Sequence, residues 1–134
     1  MWAITEDYVS FEIAKLLKEK GFYSEDCFAF YKKNGEIGFL QTFGDIVDYD
    51  SETCVIAPTH QMAMKWLREV HNIGIFPTTF YRHTATFDGH NYGCTLVNLK
   101  TFDVIGDIED CTFPADSYEE TCEAAIKYCL ENLI

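Results

Sequence analysis

Basic residues are scarce in this chain. Its 134 residues hold 10 Lys and Arg against 22 Asp and Glu, a formal net charge of −12. Binding along a phosphate backbone needs clustered cations; here the cations are scattered, which argues against nucleic acid as a partner. Long apolar runs are missing too. No stretch approaches the roughly eighteen residues of a membrane span, so no membrane association is expected. The first residues, Met1-Trp2-Ala3-Ile4-Thr5-Glu6-Asp7, lack a basic segment followed by an apolar one. No secretory signal is read there, and the expected compartment is the cytoplasm. The six cysteines, Cys27, Cys54, Cys94, Cys111, Cys122 and Cys129, are expected to be reduced in that compartment. None stand as Cys-x-x-Cys, and no His/Cys spacing suits structural zinc. Phosphate loops, dinucleotide fingerprints, serine elbows and His-Glu-x-x-His are all absent. No catalytic, cofactor-binding or metal-binding residue is therefore assigned, and no cofactor is expected.

The residues that are there describe a packed globular chain. Apolar residues make up 48% and aromatics 16%, enough large side chains to fill a core. A single domain over residues 1–134 is expected, burying roughly two thirds of its unfolded surface. Ser10 is a predicted N-cap for a helix over about 11–20, with Gly21 just past its end and a stripe of Ile13, Leu16 and Leu17. Asn34-Gly35 marks a hairpin. A two-residue loop there pairs Lys33 with Glu36 and gathers Phe28, Phe30, Ile37 and Phe39 on one face. Residues 42–57 read as irregular and acidic. Pro58 and Thr59 open a second helix whose Met62, Ala63, Trp66, Leu67 and Val70 share one buried face, ending near Asn72 and Gly74. A second hairpin spans about 78–99 and turns at Asp88-Gly89, with Tyr81, Ala85, Phe87, Tyr92, Cys94 and Leu96 on its apolar face. After an acidic connection, the capping box Ser117 and Glu120 opens the last helix, striped by Tyr118, Cys122, Ala125, Ile126, Cys129 and Leu133. Its apolar end, Leu133-Ile134, is expected to be docked. The predicted class is α+β: three helices on one face of an antiparallel sheet built from two hairpins, in the order α-β-β-α-β-β-α. The segments Lys15-Leu-Leu-Lys-Glu19 and Lys65-Trp-Leu-Arg-Glu69 each precede a hairpin. Duplication and convergence on a common amphipathic pattern both fit that repeat.

Three helical blocks also carry a resemblance. Ser10-Phe-Glu-Ile-Ala-Lys-Leu-Leu-Lys-Glu-Lys-Gly-Phe22, Thr59-His-Gln-Met-Ala-Met-Lys-Trp-Leu-Arg-Glu-Val-His-Asn-Ile73 and the block from Tyr118 to Ile134 resemble a family of short, uncharacterised proteins of gut bacteria and their phages or prophages. The resemblance covers nearly the whole chain, specific in the helical blocks and loose in the hairpins. It implies a small cytoplasmic protein of a bacterial host, often phage-associated, with no established activity. It assigns no site residue.

A few side chains have chemistry to weigh. Asp48, Asp50 and Glu52 alternate as calcium ligands can, but the central Gly and late bidentate Glu are missing, so a solvated loop is expected. His60 and His71 share a helix face about 16 Å apart, too far for one ion, and capping or surface roles are expected of them. His83 faces Cys94 in the predicted hairpin register, and a thiol beside an imidazole can be an activated nucleophile. That face is expected to be buried and no Gly-rich oxyanion loop accompanies it, so a small cysteine-dependent enzyme is the third of three readings. The first is a non-enzymatic protein-binding or accessory module. Tyr8, Phe22, Tyr23, Phe76, Phe80 and Phe102 exceed what one small core needs, and they either form a patch for a protein partner or homodimer or cover the core's ends singly. The second is an acidic decoy occupying a nucleic-acid-binding groove of a host protein. It draws on Asp45, Asp48, Asp50, Glu52 and the eight acids, unbroken by Lys or Arg, between Asp103 and Glu123.

Overall fold

The computed structural model describes residues 7–24, 27–39, 54–79, 91–106 and 112–134. These form three helices and two antiparallel sheets, one of three strands and one of four, so the class is α+β. The chain divides into two compact units, Met1–Gln61 and Met62–Ile134. No described helix is long and apolar enough to cross a membrane.

The first unit opens with helix α1 (Phe11–Glu19). Ser10 Oγ accepts the Ile13 N–H at 3.3 Å, satisfying one of the donors a helix start leaves unpaired. At the other end Gly21 takes φ +91°. The Phe22 N–H then reaches back to the Leu17 carbonyl and the Gly21 N–H to that of Lys18, which closes the helix in the Schellman pattern. That closure buries Phe22 beside a buried Leu17, so Phe22 is no part of an exposed aromatic patch. The helix buries Ile13, Ala14 and Leu17 and packs on β3 (Val55–Ile56). Strands β1 (Ala29–Tyr31) and β2 (Ile37–Phe39) form the predicted hairpin, and the sheet order is β2-β1-β3. Phe11 stacks on Tyr31 with centroids 5.4 Å apart, and the Tyr31 hydroxyl donates to the Val9 carbonyl at 2.6 Å.

The first hairpin differs from its predicted register by one residue. Tyr31 pairs with Ile37 and Ala29 with Phe39. Between them the Gly35 N–H closes a turn on the Lys32 carbonyl at 2.8 Å, and Asn34 Oδ1 accepts the Glu36 N–H at 3.0 Å. Gly35 follows with φ +89°, making a three-residue loop with a bulge rather than a two-residue turn. A one-residue slip moves a whole strand's side chains across the sheet. Ile37 and Phe39 therefore share a face with Ala29 and Tyr31, while Phe30 lies over Gly38 on the other. The stretch read as irregular supplies the third strand, β3, which pairs along β1.

Helix α2 (His60–His71) begins at the end of the first unit, where the His60 N–H donates to the Asp7 carbonyl at 3.0 Å. It buries His60, Ala63, Met64 and Leu67. The buried stripe is rotated from the predicted one, so Val70 is exposed and Met64 is not. Asn72 ends the helix with φ +58°, and β4 (Ile73–Thr79) starts at the next residue. Strand β4 pairs along the full length of β5 (Tyr92–Asn98). On the other edge of β5, β6 (Asp103–Ile105) pairs with residues 96–98 and β7 (Thr112–Ala115) with Tyr92 and Cys94, end to end. Both short strands lie in what read as an acidic connection. Helix α3 (Tyr118–Asn132) starts at the predicted cap, the Glu120 N–H donating to Ser117 Oγ at 3.1 Å. It packs on β4, β5 and β7. It buries Thr121, Cys122, Ala125, Ile126, Cys129 and Leu130, while Tyr118 is exposed and Leu133 and Ile134 are half-buried.

The two hairpins thus belong to two sheets rather than to one four-stranded sheet. A helix followed by an antiparallel hairpin occurs twice, as the paired segments suggested. The next strand joins the hairpin's first member, β1, in one sheet and its second member, β5, in the other, so the repeat does not extend past the hairpin.

Gly35 has a conformation L side chains avoid, and an added Cβ would sit 3.0 Å from Phe11 Cδ2. Gly35→Ala is expected to cost about 1–2 kcal/mol, measured as a lower urea midpoint at unchanged slope.

Candidate functional site

The predicted nucleophile is enclosed. Cys94 lies at the middle of β5 with no solvent exposure, and its cross-strand neighbour is Pro77, not His83. The observed register, with Thr79 opposite Tyr92, is not the one a two-residue turn at Asp88-Gly89 would set, and Phe80, His83 and Asp88-Gly89 lie outside the described residues. Cys94 therefore presents no exposed thiol to a substrate.

Cys94 instead belongs to a cluster of sulfur and hydroxyl groups between β5 and α3. Its Sγ lies 3.4 Å from Thr121 Oγ1 and 3.6 Å from the Thr121 carbonyl oxygen. The Thr121 hydroxyl donates to the Phe113 carbonyl at 2.5 Å. A hydroxyl has one proton, and the shorter contact holds it. The Cys122 thiol hydrogen-bonds Cys94 and is the main reason the Cys94 pKa falls below the usual thiol range; burial opposes this and Thr121 adds to it. Cys122 moves the opposite way, raised first by that bond and then by burial. Cys129, two turns further along α3, is pushed up to about 12, chiefly by burial and then by the charge of Cys94. In the first unit the Cys27 thiol donates to the Ala57 carbonyl at 3.2 Å, and burial raises its pKa. Thr121 was missed in the sequence. The signal for it was its place four residues before Ala125, on the same stripe.

Other candidates come to less. Asp48, Asp50 and Glu52 lie outside the described residues, as do Asp45, Asp107, Glu109 and Asp110 of the acidic stretches. Asp103, Asp116, Glu119 and Glu120 are exposed. His60 is buried rather than at the surface. The His71 ring stands edge-on to Trp66 at 4.6 Å, and its Nε2 has no hydrogen-bond partner among the described residues. No group of three His, Cys, Asp or Glu side chains among the described residues could hold a metal ion.

The outer face of the second sheet is different in kind. Cys94 and Leu96 point toward α3 and are buried, so Thr95 and Val97 point away. Val97 stands opposite Val104 on one side and Gly74 on the other. With no side chain at Gly74, the Phe76 ring lies across it, 2.6 Å from where a Cβ would sit, and Leu99 closes in beside it. Phe76, Leu99, Val97 and Val104 form a continuous apolar strip, with Phe76 51% and Val104 38% exposed. At its end is the turn between β5 and β6. There the Phe102 N–H donates to the Asn98 carbonyl at 2.6 Å, Phe102 takes φ +62°, and 78% of the residue is exposed. Of the other aromatics singled out in the sequence, Tyr8 and Tyr23 are exposed on the first unit.

Compared with known proteins, the chain matches no family model, no curated protein and no solved structure.

Thr121→Val removes the hydroxyl that the Phe113 carbonyl and Cys94 share. It is expected to destabilise the protein by about 1–3 kcal/mol, measured by thermal and urea unfolding. Because the folded-state pKa of Cys129 is raised, its contribution to stability is fully present below the ordinary thiol range of about 9 and is lost as pH climbs toward 12. Unfolding free energy is expected to fall with pH across that window, and Cys129→Ala to flatten the fall in a urea series run from neutral to alkaline pH.

Proposed function

We propose that this protein is a non-enzymatic, protein-binding accessory module, phage-derived as its family resemblance implies, and that it docks through the outer face of the second sheet. The observation that carries this reading is Phe102. A bulky residue at positive φ costs on the order of 1–2 kcal/mol, and here it holds a large ring in water. Asn or Gly would suit the turn better on both counts. Phe113 has nearly the same backbone conformation, φ +65°. Its carbonyl, however, accepts the Thr121 hydroxyl and its ring packs 5.4 Å from Tyr128. Phe102 has no comparable return within its own turn. An exposed aromatic beside an apolar strip is the usual form of an interface anchor. The net charge of −12 favours a partner whose rim is basic.

The test separates binding from folding. Phe102→Asn removes the ring and relaxes the backbone. Its melting temperature is expected to equal or exceed the parent's, while a host protein retained by the tagged parent is lost. A variant that retains the same protein as well as the parent does, or one that loses substantial stability, overturns the reading.

A further inference from the structure

We propose that Pro77 guards the open edge of β4 against pairing with a second copy of this chain. Strand β4 lies at the edge of its sheet, and among the described residues it pairs with β5 alone. The Leu99 N–H donates to the Asn72 carbonyl at 2.8 Å, which fixes the phase of the ladder. Backbone groups alternate in direction along a strand. Those of Gly74, Phe76 and Thr78 therefore face β5, and those of Ile73, Ile75, Pro77 and Thr79 face outward. Pro77 stands where β5 asks for no N–H, the place an edge strand tolerates proline. An unpaired row of N–H and C=O groups is a template for another strand. The proline removes one donor from that row and puts its ring where a partner's carbonyl would come.

The composition of the segment calls for such a guard. From Ile73 to Tyr81 it reads Ile-Gly-Ile-Phe-Pro-Thr-Thr-Phe-Tyr, with no charged residue. Short uncharged runs of high β-propensity pair with their own copies unless a proline or a charge interrupts them. Phe76 is exposed on the outer face, so a second β4 laid alongside would cover apolar surface as well as fill hydrogen bonds. Two antiparallel copies of β4 keep Pro77 out of the contact only by pairing at Ile73 and Ile75 alone; every longer register sets it against a carbonyl. The chain has three prolines, and two of them, Pro77 and Pro114, lie in β4 and β7, on opposite edges of this sheet. The net charge of −12 repels a second copy, but physiological salt screens that repulsion beyond about 8 Å, so the contact itself is decided at the edge. Guarding this edge is independent of what docks beside Phe102.

The experiment compares the full parent chain with Pro77→Thr, which restores the donor with a β-branched residue like the neighbouring Thr78 and Thr79. Each is run by size exclusion with light scattering over a concentration series, and amide hydrogen exchange is followed residue by residue. In the parent the Ile75 amide is expected to exchange at least about tenfold faster than that of Phe76, because only the latter is bonded to β5. Pro77→Thr is expected to form a dimer or larger species at concentrations where the parent keeps one mass, and to slow exchange at Ile75. Adding Thr78→Lys to Pro77→Thr places a charge on the exposed side of the same edge and is expected to return the mass to the parent's. A folded Pro77→Thr protein that keeps the parent's mass throughout overturns the proposal. So does association that leaves exchange at Ile75 fast, or slow exchange there in the parent, whose edge would then be paired already. If Pro77→Thr is insoluble, the double variant decides: a soluble protein of the parent's mass supports the guard, and an insoluble one overturns it.

Discussion

Strand β5 is hydrogen-bonded along both edges, by β4 over its full length on one side and by β6 and β7 end to end on the other. A strand with partners on both edges leaves few backbone groups to hydrate, and its inner face can be given over to packing. That face holds Cys94 and Leu96, and α3 lies on it with its own small residues, Thr121, Cys122 and Ala125. Small side chains on the helix let it approach the strand closely. The close approach in turn brings the Cys94 sulfur, the Thr121 hydroxyl and the Cys122 thiol into one hydrogen-bonded group. The outer face follows from the same strand, since each residue next to an inward one must point outward.

Two phenylalanines show how the second unit distributes backbone strain. Phe113 bends the chain at the point where β7 leaves regular register with β5. Its carbonyl is taken by Thr121 and its ring by Tyr128, so the fold offsets the cost locally. Phe102 has the same backbone sign and the opposite surroundings. Strain that the fold does not answer is the kind that points outside the molecule, and it lies at the end of the apolar strip. The sulfur cluster and this strip occupy opposite faces of one sheet.

Local signals were read correctly wherever one residue type decides a local geometry. Ser10, Gly21 and Ser117 end or begin their helices as their chemistry requires. Asn34-Gly35 does turn the chain, but the dipeptide does not say whether the loop has two residues or three, and that single residue decides which face Ile37 and Phe39 occupy. The second hairpin was harder. An Asp-Gly pair suggested a tight turn and set His83 against Cys94, whereas β4 starts directly at Ile73 because Asn72 reverses the chain in one step. Strands β3, β6 and β7 have two to four residues each, too few to show a period, and all three lie in stretches whose acids suggested loops.

The amino-acid sequence by itself determined the α+β class, the three helices with the Ser10 and Ser117 caps of the first and last, and the burial of most of the cysteines, because each depends on interactions within a few residues or on composition. Only the tertiary structure decided the strand registers, the division into two sheets, the neighbours of Cys94 and the exposure of Phe102. Those depend on which distant segments pair. A shift of one residue in such pairing leaves the composition unchanged and moves every side chain of a strand to the other face.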